Sequence, residues 1–180
     1  MSCARPFTFV LPALLAAAPA PAQTFEEAVL GNAALALQLC LSNTAGPATA
    51  AAFRAAGFAE RVERSAGNSD TTHHFSAPAD TVSAKLYYGE MPDECTVSSD
   101  HLGLAGAAAV LDAVVPRLFP SYVRKVEYGP LDPATGQPAQ CVRYEDPANP
   151  IGDVIGVATG GDAGGCVENG TSQIYRSSRV

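Results

Sequence analysis

Four residue types in this chain could do chemistry, and their spacing limits which chemistry. Cysteines stand at Cys3, Cys40, Cys95, Cys141 and Cys166. The only imidazoles are His73, His74 and His101. Carboxylates gather around Cys95, as Glu90, Asp93, Glu94 and Asp100, and flank a turn, as Glu145, Asp146 and Asp153. Tyr87 and Tyr88 lead into an acidic, proline-bearing stretch, Gly89-Glu90-Met91-Pro92-Asp93-Glu94.

The histidines do not form a metal set. Neighbours on a strand face opposite sides, so His73 and His74 cannot easily share an ion. A structural zinc site needs four convergent ligands, and no HxH or HxxxH pair occurs. No metal and no cofactor are expected. Paired carboxylates can hydrolyse glycosides or bind calcium. The chain has no tryptophan to build a sugar platform, and its acids do not follow an EF-hand spacing. They read as solvated loop residues, with a small carboxylate-dependent hydrolase kept as the enzymatic alternative. Tyrosine and methionine suit recognition, so Tyr87, Tyr88, Glu90, Met91, Asp93 and Glu94 form the candidate binding loop.

Gly161-Asp162-Ala163-Gly164-Gly165 resembles the nucleophile segment of chymotrypsin-like serine proteases over five residues. Alanine stands at the nucleophile position, so the acyl-transfer triad lacks its first member. A phosphate loop would end in Gly-Lys-Ser/Thr; this one ends in Cys166-Val167-Glu168 and reads as a turn. No catalytic residue is assigned.

The first 22 residues read as a signal peptide. Arg5 is followed by an apolar run from Phe7 to Ala18, and Ala20 and Ala22 form a small-x-small site. Cleavage is expected between Ala22 and Gln23. The run is shorter than the roughly 20 residues a membrane helix needs, and no membrane span is expected in the mature chain. Removing 22 of the 180 residues leaves 158, and losing Arg5 takes the net charge from −7 to −8. An acidic chain with a pI near 4.8 argues against nucleic-acid binding. Cleavage also discards Cys3. The remaining four cysteines, in an exported protein, read as two disulfides.

The elements that position these residues come in two runs. Thr24-Phe25-Glu26-Glu27 is a capping box opening a helix to about Leu41. A short helix from Ala48 to Ala56 stops at Gly57. Strands are expected at Phe58–Arg64, Thr71–Ser76, Val82–Tyr88 and Cys95–Ser99. A second helix-first run begins at Leu102 and ends at Val115, before Pro116. Strands are then expected at Tyr122–Tyr128, Gln140–Glu145, Asp153–Ala158 and Ser172–Ser177, with a long loop from Gly129 to Pro138. The letters echo: GFAERVE, ending at Glu63, resembles SYVRKVE, ending at Glu127, and Gly89 and Gly160 each stand six residues before a cysteine. The expected organisation is residues 23–100 as a first αβ repeat and 101–180 as a second, in one compact unit. The fold class is α+β, an antiparallel sheet with helices on one face.

Such halves have thin cores, because 33 of the 180 residues are alanine. Staples then make physical sense. The preferred pairs are Cys40 with Cys95 and Cys141 with Cys166; Cys95 with Cys166 and Cys40 with Cys141 is the next choice.

The helix ending near Cys40, the stretch AAFRAAGF at Ala51–Phe58 and DECTV at Asp93–Val97 carry a family resemblance. By these residues the chain resembles uncharacterised exported proteins of alphaproteobacterial type. The resemblance implies periplasmic residence and brings no known activity. Tandem helix-helix-sheet units with disulfides also look like the architecture of secreted β-lactamase-inhibitor-type proteins, a likeness of fold alone. The expected function is a non-enzymatic binding or inhibitor-like module, acting on an envelope protein or a small ligand. A structural envelope component is the third reading.

Overall fold

The structure is a computed structural model that describes residues 23–43, 46–64, 71–88, 94–132, 135–149, 151–161 and 165–178. The expected signal segment lies outside these residues, as do Glu90, Met91 and Asp93 of the candidate loop.

Local signals explain where the helices begin and end. Helix α1 (Phe25–Ser42) opens on the capping box. The Glu27 amide donates to Thr24 Oγ1 at 3.2 Å, and the Thr24 amide donates back to the Glu27 carboxylate at 2.9 Å. These hydrogen bonds hold the Glu27 carboxyl below its ordinary pKa. Helix α2 (Gly46–Ala55) starts two residues earlier than its periodicity suggests. It ends at Gly57, whose φ of 86° suits glycine. Helix α3 (Leu104–Leu118) runs through Pro116 rather than stopping before it. Proline there removes one amide in the last turn, and the Phe119 amide still closes the turn on the Val115 carbonyl at 2.8 Å.

Eight strands follow: β1 (Ala59–Arg64), β2 (Thr71–Ser76), β3 (Ser83–Tyr88), β4 (Glu94–Ser99), β5 (Val123–Leu131), β6 (Pro138–Glu145), β7 (Asp153–Ala158) and β8 (Ser172–Ser178). They form one antiparallel sheet in the order β1-β2-β3-β4-β8-β7-β6-β5. Two four-stranded meanders therefore join through their last strands, with Val97 opposite Ile174 at the seam. The β5–β6 hairpin is longer than expected. Leu131 pairs with Pro138 beyond a register shift after Tyr128, so much of the expected loop is ladder.

One face of the sheet carries most of its apolar side chains, with Val154 and Ala158 of β7 buried on the other. Phe75, Ala84, Leu86, Val97, Ile174, Val157, Ile155, Tyr144 and Val142 lie across the first face and are buried. The three helices cover this face. Their buried residues include Val29, Ala33, Leu37 and Cys40 of α1, Phe53 of α2, and Leu104, Leu111, Val114 and Val115 of α3. Phe53 stacks on Phe75 at 4.6 Å and meets Phe58 edge-on at 5.1 Å. Outside β7, many residues alternating with the buried set, such as Lys85, Ser98, Gln173 and Lys125, are polar, the period-2 pattern of a sheet packed mainly on one side. Arg143 on that outer face pairs with Glu127 and Glu145. The edge strands carry charges, β1 along its length and β5 along its first half, where they disfavour edge-to-edge pairing.

One disulfide ties a helix to the sheet, and the other ties a loop segment to the outer face of the sheet. Cys40 of α1 joins Cys95 of β4, with Cα atoms 5.6 Å apart, and Cys141 of β6 joins Cys166 at 5.7 Å. Among the described residues, no helix is long and apolar enough to cross a membrane.

The bonds close loops of 55 and 25 residues. Replacing Cys40 and Cys95 with alanine should cost about 4 kcal/mol, and replacing Cys141 and Cys166 about 3.5 kcal/mol, by loop-closure entropy. Urea unfolding of the two double variants against the oxidised parent checks both values.

Candidate functional site

Where α3 stops covering the sheet, a groove of about 390 Å³ opens between α3 and the β5–β6 hairpin. Its helical wall is Leu104, Ala105, Ala108 and Ala109. Short side chains on this face of α3 leave the space that longer ones would fill. Val142 and Gln140 of β6 lie on the opposite wall, with Pro138 and Ala139 towards the turn. Polar groups ring it: Asp112 and Arg124 at one end, Asp132, Thr135 and Gln137 at the turn, and Glu168 at the start of α3.

Most of these polar groups have named partners. Asp112 Oδ1 accepts from Arg124 Nε at 2.9 Å and from the Tyr144 hydroxyl at 2.8 Å. Tyr144 is 5% exposed. Its burial, and then the Asp112 carboxylate that accepts its hydrogen, push its pKa up to about 12. The Thr135 hydroxyl donates to the Asp132 carboxylate at 2.9 Å.

Glu168 acts as a helix cap supplied from a distance. Gly103, the N-cap residue of α3, has no side chain to offer the first-turn amides. Glu168 Oε2 accepts from the Leu104 amide at 2.9 Å, and Oε1 accepts from the Gly170 amide at 2.8 Å. A carboxylate at a helix N-terminus also meets the positive end of the helix dipole. Two ties hold Glu168 there. The Cys141–Cys166 bond anchors its segment to β6. Thr159 anchors it to the end of β7: the Thr159 amide donates to the Gly165 carbonyl at 2.8 Å, and the Val167 amide to Thr159 Oγ1 at 2.8 Å. Gly129 allows the segment to lie against β5, because a Cβ there would strike the Cys166 carbonyl oxygen.

A second charged cluster fastens the other sheet edge. Arg54 of α2 lies 2.9 Å from Glu60 Oε1, and His73 Nδ1 lies 2.5 Å from the same oxygen. His73 is only 6% exposed. Burial raises the Glu60 pKa, but the hydrogen bonds and charges of His73 and Arg54 outweigh it and leave it lowered. His74 faces the other way, with Nε2 3.4 Å from Glu63. The two neighbouring histidines thus stand on opposite faces, as strand geometry dictates. No group of three or more potential metal ligands occurs among the described residues.

The residues expected to form the binding loop are only partly described. Tyr87 lies half-buried on the outer face, alternating with buried Leu86, and Glu94 is exposed at the start of β4. The backbone of Tyr88 pairs with Thr71. Asp153 is no solvated loop acid: it accepts from Arg176 Nε at 2.7 Å. Sequence reasoning missed Asp112, Arg124, Tyr144 and Glu168. The alanines Ala105, Ala108 and Ala109 of α3 are visible in the letters, but nothing local marks them as a groove wall.

No family model matches this sequence, and no curated protein or solved structure matches it.

Two titrations test the clusters. Asp112→Asn should bring the Tyr144 pKa down from about 12 towards its ordinary 10 without reaching it, because burial remains. Ultraviolet titration, read as the difference from Tyr144→Phe, gives the value. Glu60 has a lowered pKa in the fold, so its contribution to stability is complete above the ordinary value of 4.5 and is lost as pH falls through the folded value. Glu60→Gln should cost on the order of 1 kcal/mol at neutral pH, after allowance for solvent screening. That difference from the parent should vanish in strong acid, as followed by urea unfolding at a series of pH values.

Proposed function

We propose that this protein is an exported, non-enzymatic binding module and that the groove between α3 and the β5–β6 hairpin is its binding site. The groove geometry carries this reading. It is a concave surface with an apolar wall and a rim of placed polar groups, the usual form of a recognition site. Its ionisable groups also favour binding over catalysis. Asp112 is engaged by Arg124 and Tyr144, Glu168 is engaged by backbone amides, and Tyr144 holds its proton. General acid–base work needs a group whose pKa lies near the working pH, and a tyrosine near 12 is far from it.

Export to the periplasm is supported by the apolar run from Phe7 to Ala18, followed by the small-x-small pair at Ala20 and Ala22. The two disulfides fit an oxidising compartment. With cleavage after Ala22, every remaining cysteine is paired. An inhibitor-like role towards an envelope protein is the form of binding that suits a small, stapled scaffold.

Photo-crosslinking in cells tests the reading. A benzoylphenylalanine at Ala109, in the groove wall, should give a discrete adduct by intact mass, and one at Lys85, on the outer face of the sheet, should not. No adduct at Ala109 across several growth conditions, or adducts at Lys85 alone, would overturn it.

A further inference from the structure

The chain holds five asparagines, Asn32, Asn43, Asn68, Asn149 and Asn169, and of these Asn169 alone is followed by glycine. The side-chain carbonyl carbon of an asparagine, Cγ, is open to attack by the backbone nitrogen of the next residue. The attack is fastest when that residue has no side chain to crowd the approach, a base takes the amide proton, and donors meet the oxygen on which negative charge develops. Asn149 cannot react in this way, because Pro150 has no amide hydrogen.

Residues 168–171 meet all of these needs. Gly170 has a φ of 83°, and nothing beyond its chain neighbours lies within 4 Å of where a Cβ would stand. The Gly170 amide donates to Glu168 Oε1 at 2.8 Å, within the reach required of a general base. The same carboxylate is fixed from its other side, where Oε2 accepts from the Leu104 amide at 2.9 Å. Asn169 Oδ1 accepts twice, from the Thr171 amide at 3.0 Å and from the Thr171 hydroxyl at 2.8 Å. These two donors stand at the oxygen that becomes negative when Cγ turns tetrahedral, which is the arrangement of an oxyanion hole. Asn169 and Gly170 are exposed, so water reaches them. An aspartate would accept the same two hydrogen bonds, so the turn by itself does not call for asparagine.

We propose that Asn169 modifies itself, cyclising onto the Gly170 nitrogen and converting to aspartate and isoaspartate, with Glu168 as the base and Thr171 holding the oxyanion. The Gly170 nitrogen bonds to Asn169 Cγ as its proton passes to Glu168 Oε1. The tetrahedral carbon then expels Nδ2, which takes that proton and leaves as ammonia. A cyclic imide remains between residues 169 and 170. Water opens it at either carbonyl. Opening at Cγ gives aspartate with the ordinary backbone; opening at the main-chain carbonyl gives isoaspartate, whose backbone runs through the side chain. Nothing is oxidised or reduced. Either product adds a negative charge beside Glu168, and isoaspartate also lengthens the turn that follows it. The step does not depend on what the groove holds.

The test keeps the purified, oxidised protein at neutral pH and body temperature for several weeks. Conversion at Asn169 is read by peptide mass and by labelling with an isoaspartyl methyltransferase. The same protein, reduced and held in guanidinium chloride, gives the rate of the sequence without its fold. The folded protein should convert about tenfold faster or more, because base and donors are already placed. Glu168→Gln keeps an acceptor for both amides but is a far weaker base, and should slow conversion about tenfold or more. Thr171→Val removes the hydroxyl donor and should slow it by a similar factor. A thermal melt checks that both variants fold; should loss of the α3 cap unfold Glu168→Gln, Thr171→Val decides. A folded protein that converts no faster than the unfolded chain, or a folded variant that converts as fast as the parent, would overturn the proposal.

Discussion

An antiparallel sheet with one apolar face must have that face covered, and here the cover is unequal. Eight strands present a continuous apolar floor, from Phe75 through Val97 and Ile174 to Val142. Leaving such a floor in water would cost about 25 cal/mol for each Å² exposed. Three helices meet the need. Two lie over the first meander. One lies across β8, β7 and β6 of the second meander. Most other features answer to this constraint. Alanine lets α1 and α3 approach each other closely, the aromatic stack of Phe53 on Phe75 seats α2, and the place where cover runs out is the groove.

The staples and the caps act on the same problem. Cys40–Cys95 ties a covering helix to the central strand β4, so the layers cannot separate without straining a covalent loop. Cys141–Cys166 holds an irregular segment against the sheet, and that segment delivers Glu168 to the bare N-terminus of α3. A disulfide at one place therefore supports a helix cap at another. The same carboxylate closes one end of the groove, so stability and the shape of the site share a residue.

The polar clusters at the two sheet edges are built alike with reversed charges. At one edge an arginine on α2 meets a glutamate on β1; at the other an aspartate on α3 meets an arginine on β5. Each engages an aromatic side chain of the next strand, His73 or Tyr144. Such pairs contribute little when exposed, but here each has a buried ring as a third member. That fixes where the helix end sits on the strand.

Much of the fold was legible because its signals are local. The capping box at Thr24, the alternation in β2 and β3, and the turn glycine at Gly57 lie within a few residues of the structure they cause. The even cysteine count after removal of Cys3 made two disulfides the natural expectation, and the helix-first order of each half favoured the pairs observed. The errors arose where a local rule met a tertiary one. Pro116 sits in the last helical turn because burial of Val114 and Val115 holds that turn in place. The β5–β6 hairpin extends past its turn signals because strand pairing, not composition, decides where a ladder ends. The site was illegible for a related reason. Asp112 finds Arg124 at a separation of 12 residues and Tyr144 at 32, and Leu104 finds Glu168 at 64. No periodicity encodes such meetings. Sequence alone determined the elements, the mainly one-sided sheet and the staples, since these follow from neighbouring side chains. Only the tertiary structure decided where three helices leave part of an eight-stranded floor open, because that depends on how the two meanders join.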